Sequence, residues 1–184
     1  DALSPDNVLV IANGLLTGAP VSTASRFTVA ARSPLTGAYG ESEAGGYFGP
    51  ELKAAGYEAI IVTGRAAAPV YLSIRDANVE IRDAGGLWGR EPEEVQTAIR
   101  AELGDSYVRV LQIGPGGENL VRYAALTNEL AHFNGRTGMG AVMGSKNLKA
   151  VAVRGTGAVG VARPEEFMAA VYAAMVKINR WKEI

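Results

Sequence analysis

Two stretches of this 184-residue chain match each other at one fixed offset, and this internal repeat constrains the fold more than any other feature. Residues 49–64 read GPELKAAGYEAIIVTG, and residues 140–155 read GAVMGSKNLKAVAVRG. Both begin and end with glycine, at Gly49 and Gly140 and again at Gly64 and Gly155. Each copy predicts a glycine loop, a short helix, an apolar strand and a glycine turn. We therefore expect a duplicated unit, with two unrelated units of the same kind as the alternative.

The repeated unit has a functional consequence. Free backbone N–H groups and the positive end of the helix dipole lie at a helix N-terminus, so a helix that follows a glycine loop favours an anion. Two such units in pseudo-symmetry predict two phosphate sites, and hence two copies of a phosphorylated cofactor.

The remaining patterns favour an α+β fold. Apolar segments between turn residues predict strands at 7–11, 26–31, 59–63, 70–74, 79–81, 107–113 and 148–153. Apolar positions at helical spacing predict a helix over Pro92–Leu103, which Gly104 ends, and a shorter helix over 50–55. Residues 120–126 fit strand or helix, 156–163 read as a linker, and 164–178 predict a helix. Hairpins mixed with helices argue against a strictly alternating doubly wound sheet.

Composition excludes several classes of function. The chain has no Cys, which excludes disulfides, thiolate metal ligands and cysteine nucleophiles within these residues. The net charge of −1 indicates neither a nucleic-acid nor an acidic-membrane partner. No apolar run approaches the roughly 20 residues of a membrane-spanning helix. We therefore expect a cytoplasmic protein, although the chain starts at Asp1 and not at Met.

The segment Gly135-Arg136-Thr137-Gly138-Met139-Gly140 is the strongest candidate for a phosphate loop. Its glycines allow close backbone approach, and the guanidinium of Arg136 suits bidentate phosphate binding. It is not a dinucleotide fingerprint, because Met143 occupies the third glycine position. It is not a Walker loop either, because Ser145 and Lys146 stand in the wrong order. Ordinary turn chemistry remains the alternative.

Two isolated side chains are open to two interpretations each. Arg26, at the start of a predicted strand, is either a solvated edge charge or a charge directed at a buried anionic cofactor. His132, the only histidine, fits a partly buried imidazole better than a catalytic one. Neither a serine–histidine–aspartate arrangement nor a carboxylate cluster with metal-ligand spacing occurs.

Seven motifs occur along the chain in a fixed order. They are Leu3-Ser4-Pro5-Asp6-Asn7, Leu16-Thr17-Gly18, Ser33-Pro34-Leu35-Thr36-Gly37, Gly45-Gly46-Tyr47-Phe48-Gly49, Glu51-Leu52-Lys53-Ala54-Ala55-Gly56-Tyr57, Ile113-Gly114-Pro115-x-Gly117-Glu118-Asn119, and the stretch from Gly135 to Ala150. Over residues 3–155 they resemble the N-terminal domain of the aldehyde ferredoxin oxidoreductases.

The resemblance implies a fold and a set of cofactors. It implies two intertwined β-sheet repeats with short helices, which bind two pyranopterin dithiolenes around one tungsten or molybdenum atom. Magnesium bridges their phosphates, and a [4Fe-4S] cluster lies beside one pterin with its cysteines in later domains. On this basis residues 1–155 form the pterin-binding domain without its first segment, 156–163 the linker, and 164–184 the start of a helical region.

The same resemblance assigns the site residues. Arg26 matches an arginine between pterin and cluster. One phosphate loop corresponds to Glu43, Ala44, Gly45 and Gly46, and the second to His132, Phe133, Gly135 and Arg136, with Gly138 and Gly140 following. Relatives often have Asn in place of Glu43 and Arg in place of His132. Glu43 is therefore a possible magnesium contact, and His132 implies a weaker or pH-dependent contact.

By resemblance, the whole protein oxidises an aldehyde to a carboxylic acid and passes electrons through the cluster to ferredoxin, as a homo-oligomer. No catalytic proton-transfer residue is expected in this segment, whose part is to bind and orient the cofactor. Two alternatives stay open: a phosphate- or nucleotide-binding module of another kind, and a scaffold that has lost its cofactor.

Overall fold

The computed structural model describes residues 1–181 and has the α+β fold that the sequence predicts. The strands are β1 Leu9–Asn13, β2 Phe27–Arg32, β3 Tyr39–Ala44, β4 Ala59–Val62, β5 Val70–Arg75, β6 Asn78–Asp83, β7 Arg109–Ile113, β8 Leu126–Asn128, β9 His132–Asn134 and β10 Leu148–Arg154. The helices are α1 Phe48–Ala54, α2 Pro92–Leu103, α3 Pro115–Glu118, α4 Met139–Ser145 and α5 Pro164–Trp181.

The strands form two sheets. The first has the order β3-β2-β1-β4 and is antiparallel throughout. The second has the order β6-β5-β10-β7-β8-β9, in which β5 and β10 are parallel and the other neighbours antiparallel. Parallel pairing requires a long crossover, and here the chain passes from β5 to β10 through β6, α2, β7, α3, β8, β9 and α4.

The internal repeat extends over five elements of each half. Elements β1, β2, β3, α1 and β4 of the first half correspond to β7, β8, β9, α4 and β10 of the second. The strand register agrees: Ile60 pairs with Ile11 in the first half, and Val151 pairs with Leu111 in the second. The two halves therefore present equivalent loops, which is the arrangement that a double site needs.

A shared core lies between the two halves. Leu52 on α1 and Met143 on α4 hold equivalent positions, and both are completely buried in the same apolar cluster. Phe27 and Phe48 join it with ring centroids 5.1 Å apart. Burial of each such side chain stabilises the fold by about 1.5–3 kcal/mol, so the core fixes the two helices and the loops before them.

The outer face of the second sheet is covered, whereas the equivalent face of the first is open. Helix α2 packs Val95 and Ile99 against the second sheet, and Ala152 beneath it is 1% exposed. Its counterpart Ile61, on the edge strand β4, is 67% exposed. Among residues 1–181 the first sheet has no counterpart of β5, β6 and α2.

Most predicted elements are present with boundaries shifted by one or two residues. Helix α2 has the predicted bounds, with a capping box formed by Glu91 and Glu94 and a left-handed end at Gly104. Residues 120–125 are irregular, and Leu126, the last residue of the ambiguous segment 120–126, begins β8. The helix predicted over 164–178 extends to Trp181, and the rest of the predicted 164–184 region lies outside the described residues.

Candidate functional site

The two halves meet where β3 and β9 end. The Asn134 side-chain amide donates to the Ser42 carbonyl oxygen at 2.7 Å, and the Arg136 backbone N–H donates to Ser42 Oγ at 3.1 Å. Ser42 and Asn134 are both buried. These bonds hold the loops after β3 and β9 side by side, although they are 90 residues apart in the chain.

A cleft of about 510 Å³ lies over this junction, and we call it the central cleft. It is lined by Arg26, Glu41, Ser42, Glu43, Phe133, Gly135 and Arg136. Arg26 and Glu43 form an exposed ion pair at 3.4 Å across β2 and β3. Exposed pairs contribute only about 0–1 kcal/mol, so this one opens readily to let the guanidinium contact an anion. The structure thus brings five of the predicted site residues, Arg26, Glu43, Phe133, Gly135 and Arg136, to one cleft.

Glycine at two loop positions has no explanation in the packing of the protein. Neither Gly45 nor Gly135 has a positive φ. A Cβ at Gly45 would lie 3.5 Å from Ser25 Oγ, and one at Gly135 would lie 4.0 Å from Phe133 Cβ, both ordinary contacts. A glycine at a position where a side chain would fit leaves the backbone open, so a ligand can approach it closely.

Gly46, by contrast, is required by the fold. It has a φ of 92°, and a Cβ there would lie 2.3 Å from Asn128 Oδ1 and 2.4 Å from Glu129 Oε2. The Glu129 carboxylate accepts the backbone N–H of Tyr47 at 2.8 Å. The β8–β9 turn is thereby fixed against the loop after β3, which sets the distance between the two candidate phosphate loops.

Three other predicted residues lie away from the cleft. Ala44 is buried in the apolar core. Gly138 and Gly140 are buried, and a Cβ would lie 1.9 Å from the Arg122 carbonyl oxygen at the first and 2.5 Å from the Ala125 carbonyl oxygen at the second. Close backbone packing accounts for both glycines, so they position α4 within the core.

His132 is exposed, so its interpretation as a partly buried imidazole is wrong. Its ring lies beside Gly45 and Gly46, with Nδ1 3.9 Å from the Cβ position of Gly45. It borders a neighbouring cleft of about 440 Å³, which Ser25, Tyr47 and Pro50 also line. His132 therefore stands at the first loop in space, although it belongs to the second in sequence.

Sequence reasoning missed Glu41 and Ser42 in the central cleft. Their strand reads YGESEA, with alternate residues buried and exposed. The period of two was present in the sequence, but the buried positions are Gly, Ser and Ala and give no apolar signal.

Two kinds of feature are absent from the part of the chain that the structure describes. Within residues 1–181, no three His, Cys, Asp or Glu side chains are grouped so as to hold a metal ion. No helix in the same range is long and apolar enough to cross a membrane.

Comparison with known proteins gives consistent matches. Residues 1–155 match the family model described as aldehyde ferredoxin oxidoreductase, N-terminal domain. The tungsten-containing aldehyde ferredoxin oxidoreductase of Pyrococcus furiosus is 49% identical over 97% of this chain and 30% of its own length. The protein of the same name from Thermococcus kodakarensis is 47% identical over 97% of this chain, again 30% of its own length.

Two less similar relatives carry other names. The aliphatic sulfonate oxidoreductase, WOR-like subunit, of Pyrococcus furiosus is 40% identical over 85% of this chain and 27% of its own length. The solved active-site complex BamBC of benzoyl coenzyme A reductase, in complex with 1,5-dienoyl-CoA, superposes with a TM-score of 0.97 at 42% identity. That match covers 100% of this chain and 28% of the solved chain. The chain thus spans about 30% of the length of its curated relatives.

Proposed function

The chain belongs to the aldehyde ferredoxin oxidoreductase family, of which it is the N-terminal domain, and on this premise we propose that its central cleft binds the phosphates of a tungsten bis-pyranopterin cofactor. The observation that carries the proposal is the equivalence of the two loops that border the cleft. Each half contributes one loop with a glycine that packing does not require, Gly45 in one and Gly135 in the other. Two equivalent loops fit two equivalent phosphates.

The charges of the cleft fit this ligand. Arg26 and Arg136 supply two guanidinium groups, which bind phosphate oxygens in bidentate geometry. Glu43 and Glu41 would repel a bare phosphate, and a divalent cation between carboxylate and phosphates would remove that repulsion. We therefore include a magnesium ion with Glu43 as its contact in the proposal.

The bound cofactor would supply the redox chemistry, while this chain would supply binding and orientation. Arg26 and Arg136 would hold the phosphates, and the glycine loops would let them approach the backbone. We further propose that the full-length protein oxidises an aldehyde to a carboxylic acid and passes two electrons to ferredoxin. A [4Fe-4S] cluster on this route would take its ligands from outside these residues, since the chain has no Cys.

A nucleotide-binding module would also use glycine loops and arginines. It would need one phosphate site, whereas this chain has two equivalent loops facing one cleft. The family match over residues 1–155 likewise favours the double site over that module and over a cofactor-free scaffold.

We propose that residues 1–155 form one cofactor-binding domain, 156–163 a linker, and α5 the first helix of the next region. Residues 156–163 have no helix or strand, and Met175 and Trp181 on α5 are exposed. The open face of the first sheet supports a further proposal. A hairpin and helix from outside residues 1–184 would cover β4 and Ile61, as β5, β6 and α2 cover their equivalents in the second half.

The substitution Arg136→Ala in the full-length protein tests the phosphate site. A charge-assisted hydrogen bond contributes about 1.5–3 kcal/mol, so we expect the cofactor to be retained about tenfold or more weakly. The readout is the pterin released per polypeptide after dialysis. Arg163→Ala, which removes an exposed arginine directly before α5, is the matched control. Normal pterin content in Arg136→Ala would contradict the site.

A further inference from the structure

The chain leaves β10 in a segment, residues 155–159, that is fastened to both halves of the molecule, and we call this segment the strap. Gly155 donates its N–H to Glu51 Oε1 at 2.9 Å, and Glu51 lies on α1 of the first half. Thr156 donates its N–H and its hydroxyl to the two carboxylate oxygens of Asp76, at 2.8 and 2.9 Å. Asp76 lies in the turn between β5 and β6 of the second half, and these bonds lower its pKa. One carboxylate from each half therefore holds the start of the strap.

The strap then runs in direct contact with α1. A Cβ on Gly155 would lie 2.3 Å from the Ala55 nitrogen, so the two backbones touch. The Gly157 N–H donates to the Ala54 carbonyl oxygen at 3.1 Å. Three successive N–H groups of the strap thus have acceptors in the protein, whereas a mobile linker would leave such groups to water. The first part of the expected linker is therefore a fixed element.

Val159, at the end of the strap, contacts the loop between β1 and β2. Its Cγ2 atom lies 2.8 Å from the position that a Cβ on Gly18 would take. Two atoms of α1, the Cα of Pro50 and the Cβ of Lys53, lie 3.5 Å from the same position. Gly18 is thereby enclosed between the strap and α1, so a shift of Val159 would change the packing at the base of the β1–β2 loop.

The β1–β2 loop ends at Arg26, which we have proposed as a phosphate contact. The Gly18 N–H donates to the Ala24 carbonyl oxygen at 2.8 Å and closes the loop. The Thr17 hydroxyl accepts the Gly14 N–H at 2.9 Å and donates to the Arg26 carbonyl oxygen at 2.6 Å. Thr17 is buried, so these bonds are shielded from water. A movement at Gly18 would therefore reach the backbone of Arg26.

From these contacts we infer that the strap positions Arg26 for its ligand, with Val159 as a positioning residue that acts through Gly18 and the β1–β2 loop. The strap also leads on to α5, so one fixed element holds both the start of the following region and the arginine at the central cleft. The inference rests on the proposed function for the ligand of Arg26, whereas the coupling between strap and loop does not depend on any ligand.

Hydrogen–deuterium exchange of the full-length Asp76→Ala protein tests the coupling. Loss of the carboxylate frees the strap, and we expect the amides of the strap and of Gly18 to exchange about fivefold or more faster. Because Gly18 belongs to the other half, a purely local role of Asp76 would leave its amide unchanged. The matched control is Asp83→Ala, which removes an exposed acid at the far end of β6 that accepts the Gly85 N–H at 3.3 Å. Faster exchange in the strap with unchanged exchange at Gly18 would overturn the inference.

Val159→Ala tests the positioning of Arg26. This variant removes the contact with Gly18 and keeps the hydrogen bonds of the strap, and we expect the pterin retained after dialysis to fall several-fold. Because Val159 acts through Arg26, the double variant Val159→Ala/Arg26→Ala should lose no more pterin than Arg26→Ala alone. Additive losses, or wild-type retention in Val159→Ala, would overturn the inference.

The two kinds of failure are distinguishable. Wild-type protein without pterin, or wild-type pterin retention in Arg26→Ala, would contradict the proposed function. The exchange experiment needs no cofactor, so it decides the coupling between strap and loop in either case.

Discussion

Gly45 and Gly135 hold equivalent positions in the two halves of the molecule; Gly135 lines the central cleft, and Gly45 lies two residues after Glu43, which lines the same cleft. Gly45 follows Ala44, the last residue of β3, and Gly135 follows Asn134, the last residue of β9. Ala44 pairs with Phe27, and Asn134 pairs with the equivalent Leu126. Packing requires neither glycine, so their shared feature is a backbone position where a side chain would fit but is absent. This relationship underlies the proposal of two phosphate sites.

Substitution of Gly135 should separate binding from stability. We expect Gly135→Leu to change the free energy of unfolding by no more than about 0.5 kcal/mol, because the position is exposed and unconstrained. Pterin content should fall at least about tenfold, because the side chain would occupy the place of a phosphate. Urea denaturation and pterin release measure the two effects.

Gly140→Ala should behave in the opposite way. Its Cβ would lie 2.5 Å from the Ala125 carbonyl oxygen, and overpacking of this kind costs about 1–3 kcal/mol. Equal losses of stability in Gly135→Leu and Gly140→Ala would show that Gly135 is a packing residue.

The substitution Glu43→Ala tests the magnesium contact. If the carboxylate holds the ion, the variant should need several-fold more magnesium in the buffer to retain its pterin. The reason is that one anionic oxygen ligand is lost. Pterin retention measured across a magnesium titration gives the comparison. A variant with the magnesium dependence of the wild type would remove Glu43 from the site.

Acid stability should depend on Asp105. Its carboxylate accepts the Tyr107 N–H at 2.9 Å and faces Arg154 at 3.2 Å, and these contacts lower the pKa of Asp105. A pKa that is lower in the folded state stabilises the fold above the unfolded pKa, and this stabilisation is lost as the pH falls through the folded pKa. Asp105→Asn should therefore lower the midpoint of urea denaturation at neutral pH. It should have little effect on that midpoint in strong acid. An effect of equal size at both pH values would contradict this assignment.

The open edge of the first sheet, strand β4, should be protected from amide hydrogen exchange in the full-length protein. If a hairpin pairs with β4, the outward-facing amides of Ala59–Val62 should exchange with solvent as slowly as those of the equivalent strand β10. Hydrogen–deuterium exchange of the full-length protein measures both strands together. Fast exchange of β4 beside slow exchange of β10 would contradict the proposed cover.

Much of the fold was predictable from local pattern. The apolar strands and the helix Pro92–Leu103 have strong periodicity and clear end signals, and the internal repeat indicated that the chain has two equivalent halves. Strand β3 was missed because its buried residues are small or polar. Strand β9 was missed because the turn before it contains no glycine: Glu129 and Leu130 adopt positive φ values of 48° and 58°.

Long-range contacts explain what local pattern did not predict. Lys149 was predicted to lie in a strand, but its complete burial depends on an ion pair with Glu118 and on the Arg90 carbonyl oxygen. Removal of either charge from such a pair leaves the other buried and uncompensated. The pairing of residues distant in sequence cannot be obtained from the periodicity of one segment.

The candidate site was likewise predictable only in part from the sequence. Arg26, Glu43 and Phe133 were selected by resemblance, and Gly135 and Arg136 also by the glycine-loop pattern; the structure brings all five to one cleft. Gly138 was selected for the same reason, yet close backbone packing accounts for it. The sequence pattern does not distinguish a glycine needed for packing from one that leaves room for a ligand, because that distinction depends on neighbours far away in the chain.

The most direct test of the double phosphate site is the ratio of pterin to metal in the anaerobically purified full-length protein. Elemental analysis gives tungsten and molybdenum, and fluorescence of the released pterin gives the cofactor. Two pterins per metal atom is the predicted result, with tungsten as the metal. Protein free of pterin and metal, from cells supplied with both metals, would contradict the proposal and favour the scaffold or nucleotide-module alternatives.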